Sequence, residues 1–185
     1  MKGGKEFRNP TDPTDPSNPS DSPSPSHEKF IRESLREALK AADAGEVPTG
    51  CVIVRAGKII ARAHNQTELL KDPTAHAEML AITQATAAVG DWRLTDTILY
   101  VTKEPCAMCA GAIVLARIPL VVWGFSDPQR GGHSVFSILN HEGLNHRPEI
   151  ISGVLETDCR EMFQTFFRER RKGHGEIPCT LPIDF

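Results

Sequence analysis

Apolar residues in this chain of 185 residues change their period several times, and each change marks an element. From Ser26, a residue type suited to capping a helix, Ile31, Leu35, Ala38, Leu39 and Ala42 recur at helical spacing until Gly45 stops the pattern. The segment "GCVIVRAGKIIARAHN" predicts two strands joined by a tight turn at Ala56-Gly57. A loop through Pro73 then leads into a second helix over roughly His76 to Val89. "TILYVT" at 97–102 is a short β-branched and aromatic run, hence a buried strand, and Pro105 opens a third helix running to about Arg117. "LVVWGF" predicts another core strand, "EIISGVL" a fifth, and "TDCREMFQTFFRERRK" a final amphipathic helix capped by Thr157 or Asp158. Strands alternating with helices imply an α/β fold of three layers, α/β/α, with a sheet covered on both faces.

Residues 10–26, "PTDPTDPSNPSDSPSPS", cannot bury enough apolar surface to offset the entropy of ordering them. Residues 1–26 are therefore expected to be a disordered Pro/Ser/Asp-rich tail, 27–172 one domain, and 173–185 a C-terminal tail. The longest apolar run, "IPLVVWGF", is far shorter than a bilayer span, so no membrane partner is expected. The charges of "MKGGKEFRNP" are followed by no apolar stretch, so no secretory signal is read there and the expected location is cytoplasmic. Five unevenly spaced cysteines then read as reduced thiols or metal ligands rather than a disulfide framework. A net charge of -3 and a pI near 6.2 mean that any contact with nucleic acid is local rather than carried by bulk positive charge.

Two motifs carry chemistry, "TAHAE" at 74–78 and "EPCAMCAGA" at 104–112, and both fall where a helix begins. Cys106 and Cys109, at i and i+3 in a first turn, direct their sulfurs to one side, and a helix N-terminus favours the thiolate that a metal requires. Alone, this pair is equally a redox motif, half of a structural zinc site, or two small buried residues. His76 adds a nitrogen ligand, and three protein ligands leave a tetrahedral zinc with an open position for water, the pattern of catalytic sites. Cys51, Cys159, Cys179, His64, His133, His141, His146 and His174 stand in no paired ligand spacing. Glu78, beside such a water, is placed to take its proton and deliver it to substrate; a helix-start carboxylate favoured by the macrodipole is the bland alternative.

HxE followed by PCxxC is the signature by which zinc nucleobase deaminases are known. Further stretches, "EVPTGCVIV", "HN" at 64–65, "DPTAHAE", "WRL", "LYVTKEPCAMCAGAI", "ARIPLVVWG", "LNHR" and "FFRERR", resemble the bacterial tRNA-specific adenosine deaminases along nearly all of 27–172. The resemblance implies a cytidine deaminase-like fold, with a five-stranded mixed sheet flanked by helices, as a zinc-dependent deaminase domain. It implies one Zn2+ per subunit on His76, Cys106 and Cys109, with Glu78 as the proton shuttle. It also implies Asn65 against the purine ring and the backbone near Ala77 and Pro105 against the base and the leaving amine. The implied activity is hydrolysis of adenosine to inosine at the wobble position of a tRNA anticodon stem-loop, in a homodimer whose pockets are completed by the neighbouring subunit. Arg168, Arg170, Arg171 and Lys172 are the candidate phosphate contacts, with Phe166 or Phe167 as stacking partners; alternatively the arginines are a solvated face and the phenylalanines core. "LNHR" shapes the RNA site or simply ends a turn. The chain departs from the family at "QRGGHSVFSIL", where relatives often carry a small-residue loop ending in Gly-Ser-Leu, and in its less basic end "GHGEIPCTLPIDF". A free-base enzyme such as a guanine deaminase, and a non-catalytic zinc-stabilised RNA-binding module, are the competing readings.

Overall fold

The computed structural model describes residues 25–173; residues 1–24 and 174–185, with most of both expected tails and with His174 and Cys179, lie outside the described residues. The first helix, α1 (Pro25–Asp43), starts one residue before the expected cap, because proline suits a first turn whose N–H groups have no partner inside the helix. Its buried stripe runs through Phe30, Ile31, Ser34, Ala38 and Ala41, while Leu39, expected on that stripe, is 50% exposed. Past the helix end, Gly45 adopts a left-handed φ of 76°, and the N–H groups of Gly45 and Glu46 donate back to the carbonyls of Ala42 and Ala41. This is how the expected glycine stop works.

Strands β1 (Gly50–Arg55) and β2 (Lys58–His64) form the expected hairpin, with Ala56 and Gly57 both at positive φ as its tight turn. A one-turn helix α2 (Thr67–Leu70) interrupts the predicted loop; the buried carboxylate of Glu46 accepts hydrogen bonds from the N–H groups of Glu68 and Leu69 at its start. Then come α3 (Ala77–Val89), β3 (Thr97–Lys103), α4 (Ala107–Leu115), β4 (Leu120–Phe125), β5 (Glu149–Ile151) and α5 (Glu156–Gly173). Three boundaries differ from expectation. Pro105 lies outside α4, with Cys106 as its cap. β5 is only three residues long, because Gly153 and Leu155 take positive φ and turn the chain. That turn starts α5 at Glu156, so Thr157 and Asp158 lie inside the first turn rather than at its cap.

The sheet has the order β2-β1-β3-β4-β5, antiparallel across β2-β1-β3 and parallel across β3-β4-β5. Alternation along the strands divides the core in two: Cys51, Ile53, Leu99, Val101, Val121 and Trp123 pack under α3 and α4, while Val52, Val54, Tyr100 and Val122 pack under α1 and α5. The expected three-layer α/β/α fold with a five-stranded mixed sheet is what forms. The pairing directions also decide where the site can be. With β1 antiparallel to both neighbours and β3 parallel to β4, the carboxyl ends of β2, β3 and β4 leave the sheet at one edge. Asn65 and Glu104 follow β2 and β3 directly, and Asp127 lies two residues past β4.

Candidate metal centre and active site

At that edge, His76 caps α3 and Cys106 caps α4, both with extended backbone (φ −75°, ψ 152° and φ −70°, ψ 175°). Neither side chain makes the capping hydrogen bond that a serine or aspartate cap would, so both are left to face each other. Asn65 takes over the cap of α3: its Oδ1 accepts the Ala77 N–H at 2.9 Å. The His76 Nδ1 atom lies 3.6 Å from the Cys106 sulfur and 3.5 Å from that of Cys109, and the two sulfurs are 3.6 Å apart. A tetrahedral zinc with bonds of about 2.3 Å to sulfur and about 2.0 Å to nitrogen separates two sulfurs by about 3.8 Å and sulfur from nitrogen by about 3.5 Å. The residues therefore fit such an ion, with one position left for a ligand from outside the chain. Among the described residues, this trio is the group of His, Cys, Asp and Glu side chains placed to hold a metal.

Without metal, the three groups share protons. The hydrogen bond from Cys109, supported by His76, holds the Cys106 thiol down to about 3 against the opposing effect of burial. Cys109, as donor of that bond and buried, is pushed up, and the bond to Cys106 raises the His76 ring. A metal takes both sulfurs as thiolates, so its uptake releases protons.

Glu78 stands one residue inside α3, only 3% exposed, and its Oε2 is buried with no hydrogen-bond partner. Burial pushes its carboxyl up, more than the bond to its own backbone N–H pulls it down. An unpaired carboxylate oxygen this deep costs stability, and buried groups of this kind concentrate where chemistry needs a free lone pair. The backbone groups expected to meet the base already have partners: the Ala77 N–H is committed to Asn65, and the Pro105 carbonyl accepts the Gly132 N–H at 2.8 Å. A carbonyl keeps a second lone pair, whereas a backbone N–H has one proton, so Pro105 stays available and the Ala77 N–H does not.

The remaining candidates scatter. Cys51 packs in the core under α3, and Cys159, on the buried side of α5, closes on Gly124 of β4. Asn145 accepts from the Arg117 guanidinium and His146 Nε2 lies 2.7 Å from the Ile118 carbonyl, so "LNHR" clips its loop to the turn between α4 and β4. Arg168, Arg170, Arg171 and Lys172 are exposed on the last turns of α5. Phe163 packs edge-on against Phe125, Phe167 lies over Phe163, Phe166 over Phe167, and Arg170 over the Phe166 ring at 5.8 Å. Phe163 thus packs on the core, and the half-buried Phe167 and Phe166 extend from it outward to a cation. Sequence reasoning missed Glu104, a buried carboxylate beside the ligand motif that accepts hydrogen bonds from Asp127, His133 and Ser134. Its signal was a Gly131-Gly132 pair in the loop that closes on it.

A family model of the MafB19-like deaminases matches residues 25–171. Two relatives, tRNA-specific adenosine deaminases of Streptococcus pyogenes (serotype M18, strain MGAS8232) and Bacillus subtilis (strain 168), are each 51% identical to the chain, over 144 and 146 residues. The first alignment covers 77% of the chain and 91% of the relative; the second covers 78% and 91%. A solved structure from studies of A-to-I editing by tRNA:A34 deaminases at the wobble position of transfer RNA superimposes with a TM-score of 0.71 at 41% identity, covering 72% of this chain and 98% of that one.

Proposed function

The chain belongs to the tRNA-specific adenosine deaminases, and from that membership we propose that it hydrolyses adenosine to inosine at the wobble position of a tRNA anticodon loop. The observation that carries the reading is the buried, unpartnered Oε2 of Glu78 beside the His76, Cys106 and Cys109 cluster. One zinc ion per subunit, held by those three side chains, would supply the Lewis acidity that makes water nucleophilic near neutral pH. Glu78 then moves the protons. Its Oε2 takes one from the attacking water as the oxygen bonds to C6 of adenine, gives it to ring N1, and delivers the second water proton to the departing 6-amino group. The C6–N bond breaks, ammonia leaves and inosine remains, so one water is consumed and the carboxylate is regenerated.

Asn65, with its Oδ1 anchored on Ala77, has its amide N–H groups left to donate to the purine ring. Ala77 thus acts through Asn65, and Pro105 accepts from the leaving amine through its second lone pair. The exposed end of α5 supports a phosphate grip by Arg168, Arg170, Arg171 and Lys172. A homodimer with shared pockets and a cytoplasmic location complete the reading; no described helix is long and apolar enough to cross a membrane. The test is to incubate the purified chain with an anticodon stem-loop and, separately, with free guanine. Inosine in the RNA supports the proposal. Xanthine from guanine with no inosine overturns it in favour of a free-base enzyme.

A further inference from the structure

Between β4 and β5 the chain runs from 126 to 148 without a strand or a helix, and its first part, residues 127–134, is gathered around the side chain of Glu104. Glu104 is 3% exposed, and its Oε1 accepts the N–H groups of His133 at 3.1 Å and Ser134 at 2.7 Å. Its Oε2 accepts the Asp127 N–H at 2.8 Å and the Ser134 hydroxyl at 2.9 Å. That hydroxyl also lies 3.1 Å from the Asp127 carbonyl, so one proton ties three residues together. Asp127 extends the clamp: Oδ1 accepts the N–H groups of Gln129 and Arg130, and Oδ2 pairs with Lys103 at 2.6 Å.

The clamped loop lies directly on the metal motif. Gly131 pairs with Cys106 in an isolated antiparallel bridge, and the Gly132 N–H donates to the Pro105 carbonyl at 2.8 Å. The approach is as close as backbone allows. A Cβ on Gly132 would meet the Ala110 Cβ at 2.5 Å and the Cys106 carbonyl at 2.9 Å, and a Cβ on Gly131 would meet the Glu104 carboxylate at 2.3 Å. The loop therefore packs on Cys106, one of the cluster, and on Pro105, which the reading above sets against the leaving amine.

We propose that Glu104 is a positioning residue: by clamping residues 127–134 onto Pro105 and Cys106 it fixes one wall of the nucleoside pocket, and so governs how the RNA seats. Metal binding and proton transfer do not depend on it. The inference rests on the deaminase reading above, and it separates Glu104 from a side chain that merely aids folding, whose loss would lower stability and leave substrate affinity alone.

The test is a graded series, Ser134→Ala, Glu104→Gln and Glu104→Ala, removing first one donor, then one strong acceptor, then the clamp. Each protein is assayed for zinc content, melting temperature, tryptic cleavage after the exposed Arg130, and single-turnover inosine formation against stem-loop concentration. Zinc content should hold, and cleavage at Arg130 should rise along the series. The half-saturating RNA concentration should rise with it, by about tenfold or more in Glu104→Ala, as expected for losing charge-assisted hydrogen bonds. The rate at saturation should change far less. Should Glu104→Ala fail to fold, the first two variants still give the correlation. Faster cleavage with unchanged half-saturation would overturn the inference, as would zinc loss in step with activity. Absence of inosine from the wild-type protein would instead overturn the deaminase reading itself, and this inference with it.

Discussion

The two faces of the sheet are packed to different ends. On one face α3 buries Ala77, Ala81 and Ala85 against the sheet and α4 adds Ala110 beside the larger Ile113 and Val114, so that α3 lies close to the sheet and the first residues of the two helices meet at its edge. On the other face the helices themselves contribute large side chains, Phe30 and Ile31 from α1 and Phe163 from α5, packed against Tyr100 and Phe125. The first face holds His76, both cysteines of the cluster and Glu78, where misplacement by one ångström would separate the sulfurs from the nitrogen. The second supplies apolar burial, which tolerates looser tolerances so long as the volume is filled. The lesson is that the small residues of α3 serve accuracy of approach, while the large ones that α1 contributes serve stability.

That contrast can be broken from either side. The largest effect is expected at Cys109→Ser on the catalytic face: metal analysis should show about one zinc per chain falling toward none, with inosine formation lost alongside. Full zinc in this variant would remove Cys109 from the ligand set. On the opposite face, Ile31→Ala should cost about 2–5 kcal/mol by denaturant titration, from lost burial and the cavity left behind. Turnover per folded molecule should stay within about twofold, because Ile31 touches the α1 face alone. Ala81→Leu reverses the proportions. Overpacking should cost about 1–3 kcal/mol, yet turnover should fall more steeply than in Ile31→Ala, because α3 is pushed off the sheet with His76 and Glu78 at its start. Equal activity losses on the two faces would dissolve the distinction. The smallest effect is expected at the end of α5: replacing Arg170 and Arg171 together by Ala should weaken stem-loop binding and flatten its dependence on log salt by up to about 2, with turnover at saturation unchanged.

How far this contrast could be read from the sequence differs by residue. Helices and strands with a clear period were legible, and the I′-like turn at Ala56-Gly57 and the stop at Gly45 followed from glycine chemistry alone. The cluster of His76, Cys106 and Cys109 was legible because its members are near in sequence or sit at matching helix starts, the spacing that a metal-binding group would need. Helix starts were placed less well: Ser26, Thr157 and Asp158 look like caps, but a proline at Pro25 and the left-handed Leu155 set the actual starts. Leu39 was assigned to the wrong side because a helical period does not state where its stripe is centred. Glu46 and Glu104 escaped for a different reason. A lone glutamate in a loop reads as a surface charge, and its donors lie 22 to 30 residues away, a distance no local pattern spans. The roles expected of Asn65, Ala77 and Pro105 came from resemblance alone; the structure adds only that the Ala77 N–H is engaged by Asn65.

The central claim is that Glu78 moves protons without holding the metal or the fold. The direct measurement is single-turnover inosine formation by Glu78→Gln, which keeps the shape and removes the carboxylate, alongside zinc content and melting temperature on the same preparation. Loss of a positioned general acid and base costs about 10²- to 10⁴-fold, and a group acting at several proton transfers should lie at or beyond the upper end. Zinc should remain at the wild-type level, and stability should hold or rise slightly as an unpaired buried carboxylate is neutralised. Near-normal turnover in a folded, zinc-loaded Glu78→Gln protein would contradict the account.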